Sequence, residues 1–303
     1  MLTLENHIYH FITDNKNIAH YSEKTLKSYK LDLLAFLTFT KHTKEPLDHL
    51  TKRTCRQYLY HLEQKQLSRT SIHRHIASLR RFWVYLLAKK AVSNNPWQHL
   101  TLPKLNRKLP DFLSTTNMIT FLNNINTQHP TGQRDRMICE CLYATGIRVS
   151  ELVSINLADI NINQHEIRII GKRNKERIVI FAEITATYIK NYLEHCRPKW
   201  EKNKQSNAFI INQKGNRMSV RSIQRIIKKC ATEQKLEKHI TPHTLRHSFA
   251  TDLFNGGADL STVQELLGHS NVATTEIYTH VSEKTLFSSF HNAHPRGNKN
   301  QST

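Results

Sequence analysis

The 303-residue sequence predicts a mainly α protein of two domains, the second holding a small antiparallel β-sheet. Three observations lead there. Apolar residues recur at helical spacing along most of the chain. The stretch "HEIRIIGKRNKERIVIF", residues 165–181, instead has two β-rich runs around a polar hexapeptide, which reads as a hairpin. A proline-rich basic stretch near residue 100 breaks the periodicity and divides the chain. With 38% hydrophobic residues and only 8 glycines and 8 prolines, a chain of this length can bury two cores.

In the N-terminal part, "SEKTLKSYKLDLLAFLTFTKH" predicts a helix with Ser22 as N-cap and Leu26, Tyr29, Leu33, Phe36 and Leu37 at helical spacing. "SRTSIHRHIASLRRFWVYLLAKK" predicts a second, with Ile72, Ile76, Leu79, Trp83 and Leu86 as its buried stripe. Its arginines, among them Arg69, Arg74, Arg80 and Arg81, have no acidic partners one turn away. A solvated face is the plain explanation, but one-signed charge favours a phosphate-facing surface. "NNPWQHLTLPKLNRKLPDFLS" then reads as a linker over residues 96–110.

Beyond it, "DRMICECLYATGIRVSELVSINL" is helical, with a glycine turn before Arg148. In the hairpin, Gly171 ends the first strand and Lys172 falls at the tip. "MSVRSIQRIIKKC" buries Val220, Ile223, Ile227 and Cys230 and exposes Arg221, Arg225, Lys228 and Lys229. "TPHTLRHSFATDLFNGG" has Thr241 as N-cap, Pro242 at the first helical position and a glycine pair as stop. "LSTVQELLGHS" offers a capping box from Ser261 to Gln264 and ends at Gly268. The last residues, 297–303, read as a frayed tail.

Charge narrows the function. Lys and Arg number 44 against 24 Asp and Glu, a net charge of +20 that favours a polyanionic partner, most simply nucleic acid. Five cysteines without C-x-x-C spacing suggest neither a disulfide framework nor a zinc ribbon and read as reduced cytosolic thiols. The 19 histidines are scattered and form no H-E-x-x-H pair, so no metal site is expected. No apolar run approaches the ~20 residues that span a bilayer, and the N-terminus lacks signal-peptide architecture.

Several side chains invite chemistry, and each alone has a plain structural explanation. His243 and Arg246 lie three apart near a helix N-terminus, where both project from one face and an anion is favoured. H-x-x-R by itself is a weak pattern. His269, after a helix end, would ordinarily bond the last carbonyls. Tyr278 would ordinarily be a core residue with a wet hydroxyl. Arg148, with Glu151 one turn later, and Lys172 would ordinarily be solvated surface.

Taken together, "YATGIRVSEL", "GKRNKER", "TPHTLRHSFAT" and "LLGHSNVATTEIYTHV" closely resemble the tyrosine recombinase (integrase) family. The N-terminal helices and the closing "FHNAHPRG" are similar to its Xer branch, the chromosome-dimer resolvases. The resemblance implies six active-site residues: Arg148, Lys172, His243, Arg246, His269 and Tyr278. Tyr278 would be the nucleophile, and Arg148 and Arg246 would clamp the phosphate oxygens. His243 would be the general base, His269 a phosphate ligand, Lys172 the acid, and Glu151 would orient an active-site cation. The product would be a 3′-phosphotyrosyl linkage with a free 5′-hydroxyl, needing neither metal nor ATP, and strand exchange would pass through a Holliday junction.

It further implies a C-shaped clamp: a SAM-like core-binding domain over residues 1–95, the linker, and a catalytic domain over 111–296. Arg74, Arg80, Arg81, Arg221, Arg225 and Lys228 are the candidate DNA contacts. Double-stranded DNA is the expected partner, gripped by a homotetramer or a heterotetramer with a paralogous recombinase. An FtsK-like DNA translocase is a further expected partner. Residues 282–296, with Leu286, Phe287 and Phe290, would dock into a neighbouring protomer. The expected setting is the bacterial cytoplasm, on the nucleoid. The alternative is a phage, plasmid or transposon integrase with the same chemistry; it fits less well, because there is no room for an arm-binding domain and no large insertion between His269 and Tyr278. A type IB topoisomerase or a non-catalytic DNA-binding protein would fit less well again.

Overall fold

The computed structural model describes residues 3–17, 21, 23–41, 50–104, 113–171, 176–201, 206–236, 240–268, 290 and 292–297. The chain divides into two compact units between Lys108 and Leu109.

The first unit holds α1 (Leu4–Asn17), α2 (Glu23–Thr40), α3 (Lys52–Gln64) and α4 (Arg69–Ala88). Ser68 caps α4 by accepting from the Ser71 amide at 3.2 Å, satisfying a donor the helix leaves unpaired. Ser22, the expected cap of α2, lies outside the described residues. The expected stripe of α4 is buried throughout, from Ile72 to Leu86. It meets an aromatic core in which the Phe36 ring stands edge-on to Tyr58, Trp83 and Trp97, with centroids 5.0, 5.7 and 5.2 Å apart.

Trp97 belongs to the stretch read as linker. It is fully buried, and the segment it opens lies on α4. Arg80 donates to the carbonyls of Trp97 at 2.9 Å and Leu100 at 2.8 Å, and Arg69 to that of Lys104 at 2.9 Å. Residues 96–104 are therefore part of the first unit. The prolines that break the periodicity there end the helical pattern without freeing the chain.

The second unit begins with α5 (Thr115–Asn123), α6 (Pro130–Thr145) and α7 (Val149–Ser154). A three-stranded antiparallel sheet follows: β1 (Ile160–Asn161), β2 (Glu166–Ile170) and β3 (Glu176–Ile180), in that order. Arg168 pairs with Ile178 and Ile169 with Arg177, the register of a hairpin. Then come α8 (Glu183–Asn191), a π turn over Tyr192–Cys196, α9 (Pro198–Glu201), α10 (Val220–Glu233), α11 (Pro242–Asn255) and α12 (Leu260–Leu267). Thr241 caps α11 as expected. For α12 the cap is Asp259, whose carboxylate accepts from the Thr262 amide at 2.8 Å; Ser261, expected in that role, is already helical. An acid outcompetes a serine there because it also complements the helix dipole. The five cysteines are free and buried.

The core of this unit is built around α6, which is buried along nearly its whole length. Phe290, Ala293 and His294 pack against it and α11. Of residues 282–296, expected to dock into a neighbouring protomer, Phe290 and residues 292–296 are described, and Phe290, Ala293 and His294 pack on their own chain. Leu286 and Phe287 lie outside the described residues. The anchor is a buried ion triad. Glu140, fully buried, pairs with Arg136 at 3.1 Å and with Arg296 at 2.9 Å. Glu140→Ala leaves two guanidiniums without their counter-charge and is expected to cost about 3–5 kcal/mol, read by urea unfolding.

His294 lies among the rings of Tyr143, Phe249 and Phe290. Burial, and then the Arg296 charge, pushes its pKa down to about 3. In the unfolded chain a histidine titrates near 6.5. Its share of stability is thus full above about pH 6.5 and lost as pH falls toward 3, because only the unfolded chain takes the proton. Unfolding free energy measured against pH should carry a His294 slope of up to about 1.4 kcal/mol per unit in that window. His294→Phe should lack it, and equal slopes in the two proteins would refute this assignment.

Candidate active site

The site starts from a tight turn. Gly146 ends α6 in the left-handed region, at φ 59°. A Cβ there would also sit 2.3 Å from the Phe249 ring of α11, so only glycine lets the turn approach that helix. The turn delivers Arg148 to the start of α7. The Glu151 carboxylate accepts from the Arg148 amide at 2.7 Å, fixing the first turn of the helix. It also accepts from the Arg148 guanidinium at 3.0 Å. Glu151 is buried, whereas 44% of the Arg148 side chain is open to solvent. Glu151 thus holds the Arg148 guanidinium by a hydrogen-bonded ion pair.

Arg246 comes in from α11. Its guanidinium donates to the carbonyl of Gly146 and, at 2.7 Å, to that of Leu267 at the end of α12. One fork therefore ties three elements: the turn after α6, α11 and the C-terminus of α12. Burial first, and then repulsion from Arg148, lowers its pKa to about 10. It stays charged at neutral pH, and the repulsion is what a bound anion would relieve.

A third guanidinium joins them that sequence reasoning had not assigned. Arg177, on β3, donates to both oxygens of Glu151, at 3.2 and 2.9 Å. Burial alone would raise the Glu151 pKa; the bonds from Arg177 and Arg148 outweigh it and hold the carboxyl below its ordinary range. A signal for Arg177 was present. In "ERIVIF", Arg177 alternates in phase with Val179 and Phe181, which are buried, so an arginine occupies the inward phase of a strand. The end of α12 rests on it: a Cβ on Gly268, at φ 65°, would meet Arg177 Cζ at 2.9 Å.

The described residues thus bring together Arg148, Arg246 and Glu151 of the expected set. His243 is exposed near the N-terminus of α11, three residues before Arg246. Lys172, His269 and Tyr278 lie outside the described residues; in the chain, Lys172 follows Gly171 at the end of β2, and His269 follows Gly268.

The expected DNA contacts divide into two kinds. Arg74 bonds both oxygens of the buried Asp32 on α2, at 2.5 Å, and Ser78 donates to the same carboxylate at 2.7 Å. Arg80 is committed to backbone carbonyls. Both arginines thus have partners within the first unit, although 47% of the Arg74 side chain stays open to solvent. The missing acidic partner of α4 was 42 residues away on another helix, beyond the reach of i±4 counting. Arg81 is exposed, its guanidinium 5.9 Å from the Tyr21 ring centroid. Arg221, Arg225 and Lys228 are exposed at i, i+4 and i+7 on one face of α10, opposite buried Ile223, Ile227 and Cys230. Val220, expected in the core, is only half-buried at the start of that helix.

Among the described residues no group of three or more His, Cys, Asp or Glu could hold a metal ion, and no helix is long and apolar enough to cross a membrane.

Residues 111–285 match the phage integrase family, and residues 10–90 match the phage integrase N-terminal SAM-like domain. Tyrosine recombinase XerD of Staphylococcus saprophyticus is 39% identical over 91% of this chain and 94% of its own. Tyrosine recombinase XerC of Pelotomaculum thermopropionicum is 37% identical over 96% of this chain and 98% of its own. Among solved structures, the Tn1549 transposon integrase in complex with a circular intermediate DNA shares the fold. Its TM-score is 0.73 at 17% identity, over 95% of this chain and 99% of that one. The chain belongs to the phage integrase family, and it is a tyrosine recombinase, an enzyme of site-specific DNA cleavage and rejoining.

Proposed function

We propose that this recombinase cleaves double-stranded DNA by attack of Tyr278 on a phosphodiester held between Arg148 and Arg246. The observation that carries this reading is the pairing of Arg148 and Arg177 on a single carboxylate, Glu151, with Arg246, held by the Gly146 and Leu267 carbonyls, close enough to feel the charge of all three. Such a cluster carries surplus positive charge at a solvent-open face, which favours a bound anion. Guanidinium forks match phosphate oxygens and oppose the charge that grows on them in the transition state, with no metal required.

The step balances as a transesterification. The Tyr278 oxygen bonds to phosphorus, the bond to the 5′-oxygen breaks, and a 3′-phosphotyrosyl ester is left. His243 takes the phenol proton, and Lys172 gives one to the departing 5′-oxygen. His269 holds a phosphate oxygen. The ester conserves the energy of the broken diester, so a 5′-hydroxyl of another strand reverses the step without ATP.

We read the biological role as resolution of chromosome or plasmid dimers in the bacterial cytoplasm, by four protomers at a Holliday junction. Identity of 37–39% to the Xer relatives over nearly the whole chain supports this over a mobile-element integrase. Relatives named XerC and XerD match about equally well, which suits either a homotetramer or a pair of paralogues. An FtsK-like translocase is the proposed activator. The exposed row Arg221, Arg225 and Lys228 and the exposed Arg81 are the proposed backbone or base contacts.

The test is covalent trapping. The full chain is incubated with a nicked recombination site recovered from cells, and the denatured mixture is examined for a protein–DNA adduct. The expected adduct carries DNA on the peptide containing Tyr278. Attachment at another residue, or none at any recovered site, would refute the proposal.

A further inference from the structure

We propose that Arg177 is a positioning residue of this reaction: it neutralises Glu151, so that Arg148 keeps its charge for the substrate phosphate. This rests on the reading of the site given above.

The geometry separates the two arginines that share Glu151. Arg177 gives the carboxylate both terminal nitrogens of its fork and is only 10% exposed. Arg148 gives it one guanidinium nitrogen and remains 44% exposed. Burial thus keeps Arg177 inside the protein, whereas Arg148 offers its remaining donors to solvent. The Nε of Arg177 is buried and bonds to nothing among the described residues.

Charge gives the arrangement its purpose. Arg148, Arg177 and Arg246 are three cations against the one carboxylate of Glu151, and two positive charges remain. A phosphodiester attacked by a phenolate becomes a dianion, so the remainder matches the transition state. With Arg177 neutral, Glu151 would draw on Arg148 alone, and one positive charge would remain. Arg177 also seats the last turn of α12: Gly268 lies against its guanidinium while Arg246 holds the Leu267 carbonyl at 2.7 Å.

The test uses the full chain and three variants: Arg177→Lys, Arg177→Gln, and Arg177→Gln with Glu151→Gln. Two quantities are read. One is single-turnover cleavage of the nicked site at saturating protein; the other is affinity for inorganic phosphate by calorimetry. Arg177→Gln should lower both by about ten- to a hundredfold, with duplex DNA affinity unchanged in a gel-shift assay. The double variant, which restores the charge balance, should recover both to within about tenfold of wild type, and Arg177→Lys should stay close to wild type.

A purely structural arginine would change the unfolding free energy of Arg177→Gln but leave the phosphate affinity of its folded fraction at the wild-type value. Unchanged phosphate affinity in Arg177→Gln, or a double variant as impaired as the single, would overturn the proposal. Should Arg177→Gln fail to fold with Glu151 held by Arg148 alone, the double variant and Arg177→Lys still decide it, because neither weakens the pairing of a buried charge. The phosphate arm does not depend on recombination. An absent DNA adduct in the wild type would end the recombinase mechanism, whereas phosphate affinities against the predicted order would end the charge balance.

Discussion

Tyr278→Phe is expected to abolish the covalent protein–DNA adduct and strand exchange, a loss on the order of 10³-fold or more, down to the detection floor. The substitution removes one oxygen. The phenyl ring keeps the volume and the apolar surface, so folding and duplex affinity should stay within about twofold of wild type. The other side chains of the expected set carry nitrogen nucleophiles, so a substitute would form a P–N bond, which acid cleaves, rather than the acid-stable tyrosyl ester. Denaturing gels after incubation with the nicked site measure the adduct, and gel shifts measure binding. An adduct formed at wild-type level by the Phe variant would mean that another residue attacks. Loss of binding along with the adduct would mean that the tyrosine is structural.

Arg246→Ala is expected to slow single-turnover cleavage by about 10²–10³-fold. Two losses combine. The transition state loses a charged fork, and the carbonyls of Gly146 and Leu267 lose their donor. The second loss predicts that Arg246→Lys rescues little, because an ammonium cannot span two carbonyls and a phosphate with a rigid plane. Duplex affinity should change far less than cleavage, since the many contacts outside the site carry the salt-dependent part of binding. Cleavage rates at saturating protein separate these effects. A lysine variant as fast as wild type would show that charge alone matters at this position.

Much of the site was legible because its markers are local. A glycine turn before Arg148, a capped helix start before His243 and Arg246, and a glycine stop before His269 are each set within one helical turn. The buried stripes of α4 and α10 follow from periodicity, and Val220 departs from it only because a helix end is less covered than its middle. Side-chain partners across the fold were not legible. Asp32 takes Arg74 from 42 residues away, Glu151 takes Arg177 from 26, and Glu140 takes Arg296 from 156. Spacing rules do not reach such pairs, which exist only once helices and strands have packed. The same limit hid the internal partners of Arg74 and Arg80.

By itself, the sequence determined the helices and hairpin, the basic character, the family resemblance and the identity of the candidate reactive groups, because composition and short-range spacing carry them. Only the tertiary structure decided which cations are spent on internal carboxylates and carbonyls and which remain open to a substrate. Charge is a property of a residue, but its availability depends on what the fold brings within hydrogen-bond distance, and in a buried setting that pairing sets the field a phosphate would meet.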